Sequence, residues 1–121
     1  MNDHIDYAVL KESASILKKK FPAIVDIYIE DAQNYVAGIL QGIEENDAHM
    51  TAQNAQPLKS SSDGMGVIKV HTLAKSVEIE AKSAAENGAS ISHMKQAAED
   101  IKAALEQAVP LLREYTKKAS V

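Results

Sequence analysis

From Ile24 to Ile43 an apolar side chain recurs at every third or fourth position: Ile24, Tyr28, Ala32, Tyr35, Ile39 and Ile43. This spacing follows the 3.6-residue turn of an α-helix and not the two-residue alternation of a half-buried strand. Val25, Ile29, Val36 and Leu40 widen the stripe. A stripe this wide suits the interior of a helical bundle better than a helix lying on a surface. The helix should begin near Pro22, because proline disfavours helix in the residue before it and is well tolerated in a first turn. It runs out at Glu44-Glu45-Asn46-Asp47, where Asp47 can cap the next helix.

The rest of the chain follows the same period. About Asp6 to Lys20, Val9, Leu10, Ile16 and Leu17 fall on one side of a short leading helix, with Lys18-Lys19-Lys20 as its last turn. Lysines there complement the negative end of the helix dipole. A third segment, about Ala48 to Ser62, is thinly apolar (Met50, Ala52, Ala55, Leu58) and otherwise polar. Pro57 sits in its middle, where an interior proline costs about 3 kcal/mol of helix stability. Such a conflict between local preference and context tends to mark function. Asp63-Gly64-Met65-Gly66 reads as a turn. Val67, Val70, Leu73, Ala74 and Val77 then give a fourth helix, with Gly88 placed to end it. Ser90 or Ser92 opens a last helix through Met94, Ala98, Ile101, Leu105, Ala108, Leu112 and Tyr115, interrupted by Pro110, which should kink it. Short connections make consecutive helices antiparallel. The expected fold is therefore all-α: an up-down-up-down four-helix bundle with a short additional N-terminal helix, one domain over residues 1–121.

Composition narrows the function classes. Only 4% of the 121 residues are aromatic, so the core must be built from Ile, Leu, Val, Ala and Met. A net charge of −4 gives no support for nucleic-acid binding. Without cysteine there is no disulfide or thiolate chemistry. The acidic start Met1-Asn2-Asp3-His4 is unlike a signal peptide, and no apolar run approaches the ~20 residues of a membrane span. A cytoplasmic chain with no membrane insertion is expected. Its outer faces look well charged, which favours a monomer.

The chemistry concentrates in Ala55-Gln56-Pro57-Leu58-Lys59-Ser60-Ser61-Ser62-Asp63-Gly64-Met65-Gly66. This stretch resembles the signature of histidine-containing phosphotransfer (HPt) domains: Ala-His, a variable residue, Leu-Lys, a run of Gly or Ser, then a Gly that starts the next helix. Asp47 resembles the acid common before that helix, and Val70, Leu73-Ala74 and Val77-Glu78 resemble the apolar positions and closing Leu-Glu. The likeness covers about residues 20 to 112. It implies a module of a two-component phosphorelay, a phosphocarrier and not an enzyme. In that family a histidine takes a phosphoryl group from a receiver-domain aspartate and passes it to another receiver. The implied partners are a response-regulator receiver domain and possibly a hybrid sensor kinase. No cofactor is implied, Mg²⁺ being supplied by the receiver.

Gln56 departs from the family at its phosphoacceptor position. The lone pair of an amide nitrogen is delocalised into the carbonyl, so Gln56 is no nucleophile and no catalytic residue is expected. Its amide still donates and accepts hydrogen bonds near where an imidazole nitrogen would lie. The resemblance makes Pro57, Lys59, Ser60 and Ser61 the contacts to a phosphoryl group or receiver. Lys59 and Ser60, three and four residues on, share the face of Gln56. The lysine would offset phosphoryl charge, in a chemistry governed by positioning and electrostatics, and the small serine would admit the partner. Two origins fit, a natural pseudo-HPt or an engineered acceptor-dead variant. Two other roles fit as well: an adaptor or inhibitor that binds a receiver or kinase domain without carrying phosphate, or a structural bundle unrelated to phosphorelays. No other histidine replaces the acceptor: His49 lies about 10 Å along the helix from Gln56, His71 should point to solvent, and His4 and His93 read as surface residues. No metal-ligand spacing is present.

Overall fold

The periodic segments become five α-helices in a computed structural model, which describes residues 4–119: α1 (Tyr7–Leu17), α2 (Phe21–Glu44), α3 (Ala48–Gly64), α4 (Ile68–Asn87) and α5 (Lys95–Ala119). The last four form the up-down-up-down bundle. α2 packs on α3 and α5, and α4 packs on the same two, so the four close a ring around one core. The fold is all-α, with a single isolated β-bridge, Ile5 to Val67, among the described residues.

Boundaries follow capping chemistry. The Asp6 carboxylate accepts from the Ala8 and Val9 amides and starts α1. Asp47 accepts from the Met50 amide at 2.9 Å and starts α3, satisfying helix-end donors that would otherwise lack partners. Pro22 stands in the first turn of α2, and Gly88, in the left-handed conformation at φ +64°, ends α4. α3 does not stop at Ser62. It runs through Asp63 to Gly64, and the reversal falls at Met65-Gly66, where Gly66 has φ +72°. A β-carbon there would also lie 2.7 Å from the Asp6 carbonyl oxygen.

The inner face of α2 is Val25, Tyr28, Ile29, Ala32, Val36, Ile39 and Ile43, with Ile24, Tyr35 and Leu40 on its flanks. It meets Ala55 and Leu58 of α3, Val70, Ala74 and Val77 of α4, and Ala98, Ile101, Leu105, Ala108 and Leu112 of α5. α1 contributes Leu10, whereas Ile16 is 70% exposed, contrary to the expected stripe. The buried side of α1 centres on Leu10, Ala14 and Leu17, and Ile16 falls about 130° from that centre. The lysine run is also not the last turn of α1. Lys18 caps that helix, and Lys18–Lys20 form a separate 3-10 turn leading into the N-terminus of α2. Pro57 and Pro110 both lie inside continuous helices.

Close approach of α2 and α3 depends on glycine. A β-carbon at Gly42 would sit 2.3 Å from Thr51 Oγ1 and 3.0 Å from the Thr51 amide nitrogen. Thr51 cannot swing away, because it is fully buried and its hydroxyl donates to the Asp47 carbonyl at 2.9 Å. Gly42→Ala gains up to about 1 kcal/mol of helix propensity but forces backbone movement, and overpacking of this kind costs about 1–3 kcal/mol. A net loss of about 1–2 kcal/mol is expected in urea denaturation. A variant as stable as the parent would show that the helices separate freely.

Candidate functional site

α3 is the polar helix of the bundle, and its inner face explains why it holds. Thr51, Ala52, Ala55, Leu58 and Ser62 are buried. Ser62 is satisfied across the core by a 2.7 Å hydrogen bond with the Tyr28 hydroxyl. The outer residues are left to solvent. Gln56 and Ser60 are exposed, and Pro57, Lys59 and Ser61 are half-buried. Pro57 removes the donor that would pair with the Gln53 carbonyl, and Gln53 is exposed, so the loss falls where solvent can compensate.

Gln56, Lys59 and Ser60 therefore lie together on one side of α3. Ser61 does not join them. It is about 140° round the helix from Gln56, and its hydroxyl turns back on the Leu58 carbonyl at 3.4 Å. Gln56 borders an open groove of about 530 Å³ between α3 and α4, lined also by His49, Ala52, Gln53, Lys82, Ala85 and Glu86. His49 and Gln56 thus share one groove although two helical turns separate them.

Lys59 is held by α4 at both ends. Its ammonium donates to Glu78 Oε1 at 2.6 Å, and its carbonyl accepts from Nδ1 of His71 at 2.9 Å. His71 is accordingly half-buried and turned to α3, not to solvent. Val70 is a poor reference for its direction. Seven residues, two turns, separate His71 from Glu78, which places the two about 20° apart on α4. Glu78 is buried at 3% exposure, and Lys82 Nζ reaches its other oxygen at 3.0 Å. The hydrogen bond from Lys59 holds the Glu78 carboxyl below its usual 4.5, against burial, which raises it; Lys82 adds to the lowering. One carboxylate between two ammonium groups leaves these three residues with a single excess positive charge, while Glu86 lines the groove beside Gln56.

Nothing in the site activates a nucleophile. Gln56 makes no side-chain hydrogen bond among the described residues, and no described group of three or more His, Cys, Asp or Glu residues could hold a metal ion. The resemblance marked Gln56, Lys59 and Ser60 and helix spacing put them on one face, but neither found the grip of His71 and Glu78 on Lys59. In the sequence Glu78 was marked only through the resemblance to a closing Leu-Glu; its place four residues after Ala74 on the apolar stripe was the signal that could have found it, because buried carboxylates are rare without a cation.

No family model and no curated protein matches the sequence. Among solved structures the chain is similar to histidine-containing phosphotransfer protein B (HptB) from Pseudomonas aeruginosa PAO1, with a TM-score of 0.74 and 19% identity over 98% of this chain and 95% of that one. At that identity the likeness establishes a shared fold.

Proposed function

We propose that the chain is an HPt-type module of a two-component phosphorelay that docks receiver domains through α3 and does not itself carry phosphate. The observation that carries this reading is the placement of Gln56 with Lys59 and Ser60 on one accessible face of α3, within a fold shared with HptB over nearly the whole chain. A receiver active site is acidic, and the excess positive charge at Lys59, Glu78 and Lys82 suits its approach. Ser60 keeps the face low. Gln56 preserves hydrogen-bonding shape at the centre but offers no nitrogen lone pair for attack on phosphorus. The Mg²⁺ that such a transfer needs would come with the receiver.

The experiment restores the nucleophile. Gln56→His, mixed with a phosphorylated receiver and Mg²⁺, is expected to acquire an acid-labile, base-stable phosphoryl group, while the parent chain acquires none. Titration of the parent chain with the same receivers is expected to show binding without transfer. A folded Gln56→His variant that stays unlabelled, together with a parent chain that binds no receiver, would sink the proposal. Binding by the parent without labelling of the variant favours the adaptor reading, in which the face serves only to sequester a partner.

A further inference from the structure

We infer that the end of the bundle formed by α1, the Lys18–Lys20 turn and the C-terminus of α5 docks peripherally on an anionic lipid bilayer. This goes beyond the receiver-docking face, and a different set of residues carries it.

The fold gathers at this end basic residues that are far apart in sequence. Phe21, directly after the lysine run, packs edge-on against Tyr115 with ring centroids 5.9 Å apart, and Tyr7 of α1 lies 6.0 Å from the same ring. Arg113 of α5 reaches Asp26 of α2 at 3.5 Å. These contacts bring Lys117 and Lys118 to the end that α1 and Lys18–Lys20 occupy. Lys11, Lys18, Lys19, Lys20, Lys117 and Lys118 are all exposed, nearly half of the 13 basic residues in a chain of net charge −4. Lys118 pairs with Glu114. The ammonium groups of the other five have no carboxylate partner among the described residues.

Local physics does not account for the lysine run. Lys18 adopts φ +53°, where glycine is the comfortable residue. Lys20 is the N-cap of α2, a position that favours Ser, Thr, Asp or Asn and that carries the positive end of the helix dipole. Three lysines side by side also repel one another. Lys18 suits the negative end of α1 but not its own backbone conformation, and Lys20 suits neither its cap position nor the dipole of α2; charges kept on these terms point to a use outside the fold.

The chemistry of the end selects a bilayer. Ile16, 70% exposed and next but one to Lys18, can enter the headgroup region, and lysines next to an apolar anchor are the usual peripheral pattern. A nucleic acid would find one arginine, already paired with Asp26, and for stacking only Tyr7, whose ring already lies against that of Tyr115. The acidic remainder of the surface would repel a long polyanion, whereas a flat bilayer touches only the end.

The test is co-sedimentation of the full chain with phosphatidylcholine vesicles with and without phosphatidylglycerol. Binding is expected only to the anionic vesicles, and to weaken as salt is raised. Changing Lys18, Lys19 and Lys20 together to Gln should lower partitioning by roughly 100-fold, since each lysine contributes about five-fold. The variant should unfold at the parent's temperature or slightly above it, as the residues are exposed and the charges removed repel one another and oppose the α2 dipole. Ile16→Ser should weaken binding several-fold at unchanged salt sensitivity. Equal binding to neutral vesicles, no binding to either kind, an unaffected triple variant, or tighter binding to duplex DNA than to anionic vesicles at the same ionic strength would each overturn the proposal.

Discussion

Lys59→Met is expected to destabilise the protein by about 2 kcal/mol at neutral pH, although the lysine is in the region where a partner is expected to dock. The cause is Glu78. Its carboxylate is buried, Lys59 supplies its shortest hydrogen bond at 2.6 Å, and the remaining partner, Lys82, is half in solvent. Removing the donor leaves a buried charge held from one side, which costs more than an exposed ion pair would return. The pH dependence gives the sign. Glu78 titrates below its usual 4.5 in the folded parent. It therefore contributes stability that is present above 4.5 and is lost as pH falls through the folded value. In the variant, burial acts with less opposition, and protonation relieves the unpaired charge. Urea denaturation across a pH series should show the two proteins converging below pH 4.5. A gap that stays constant down to about pH 3 would mean that lost packing of the lysine stem, not charge, is responsible. Glu78→Gln added to Lys59→Met should recover much of the loss. Any loss of receiver binding in a Lys59 variant must be read beside its stability.

The second large effect lies at the opposite end of the pH scale. The Tyr28 hydroxyl is buried against Ser62, and burial pushes its pKa up to about 12 from 10.0, the hydrogen bond with Ser62 opposing. A raised folded value means that the folded state holds the proton more tightly than the unfolded chain does. The corresponding stability is complete below pH 10 and is lost as pH climbs to about 12, a change of roughly 2–3 kcal/mol. Tyr28→Phe leaves the fully buried Ser62 hydroxyl without this partner and should cost about 1–2 kcal/mol near neutrality. It should also flatten the alkaline limb of the stability curve, so that variant and parent cross or merge near the folded pKa. Tyrosinate absorbance should report the late titration directly: one of the four tyrosines ionises with unfolding in the parent. If all ionise together before unfolding, Tyr28 is not sealed in the core.

How much of this was legible in the chain depends on whether a feature needs one helix or two. The stripe of α2 and the caps at Asp47 and Gly88 are properties of single segments, and sequence spacing marks them. Bonds between helices require their axial offset, which periodicity does not contain. The Lys59–Glu78 pair, the Tyr28–Ser62 bond and the contact at Gly42 all belong to that second kind. His71 shows the error that results: judged against Val70 alone it points outward, but α4 meets α3 along a line that passes near both His71 and Glu78. Ile16 fails for a related reason. α1 is too short for its stripe to be placed without knowing which side meets the bundle.

Gly66 has a consequence for how the protein is made. The Asp6 amide donates to its carbonyl at 2.7 Å, and the Ile68 amide donates to that of His4 at 2.9 Å. His4 and Asp6 thus find their partners only after about sixty more residues have been synthesised. Until then α1 has no partner at the α3–α4 turn, and α2, the most apolar helix of the chain, is exposed without α3 or α5 to cover it. The closing of that stitch should be among the last events of folding.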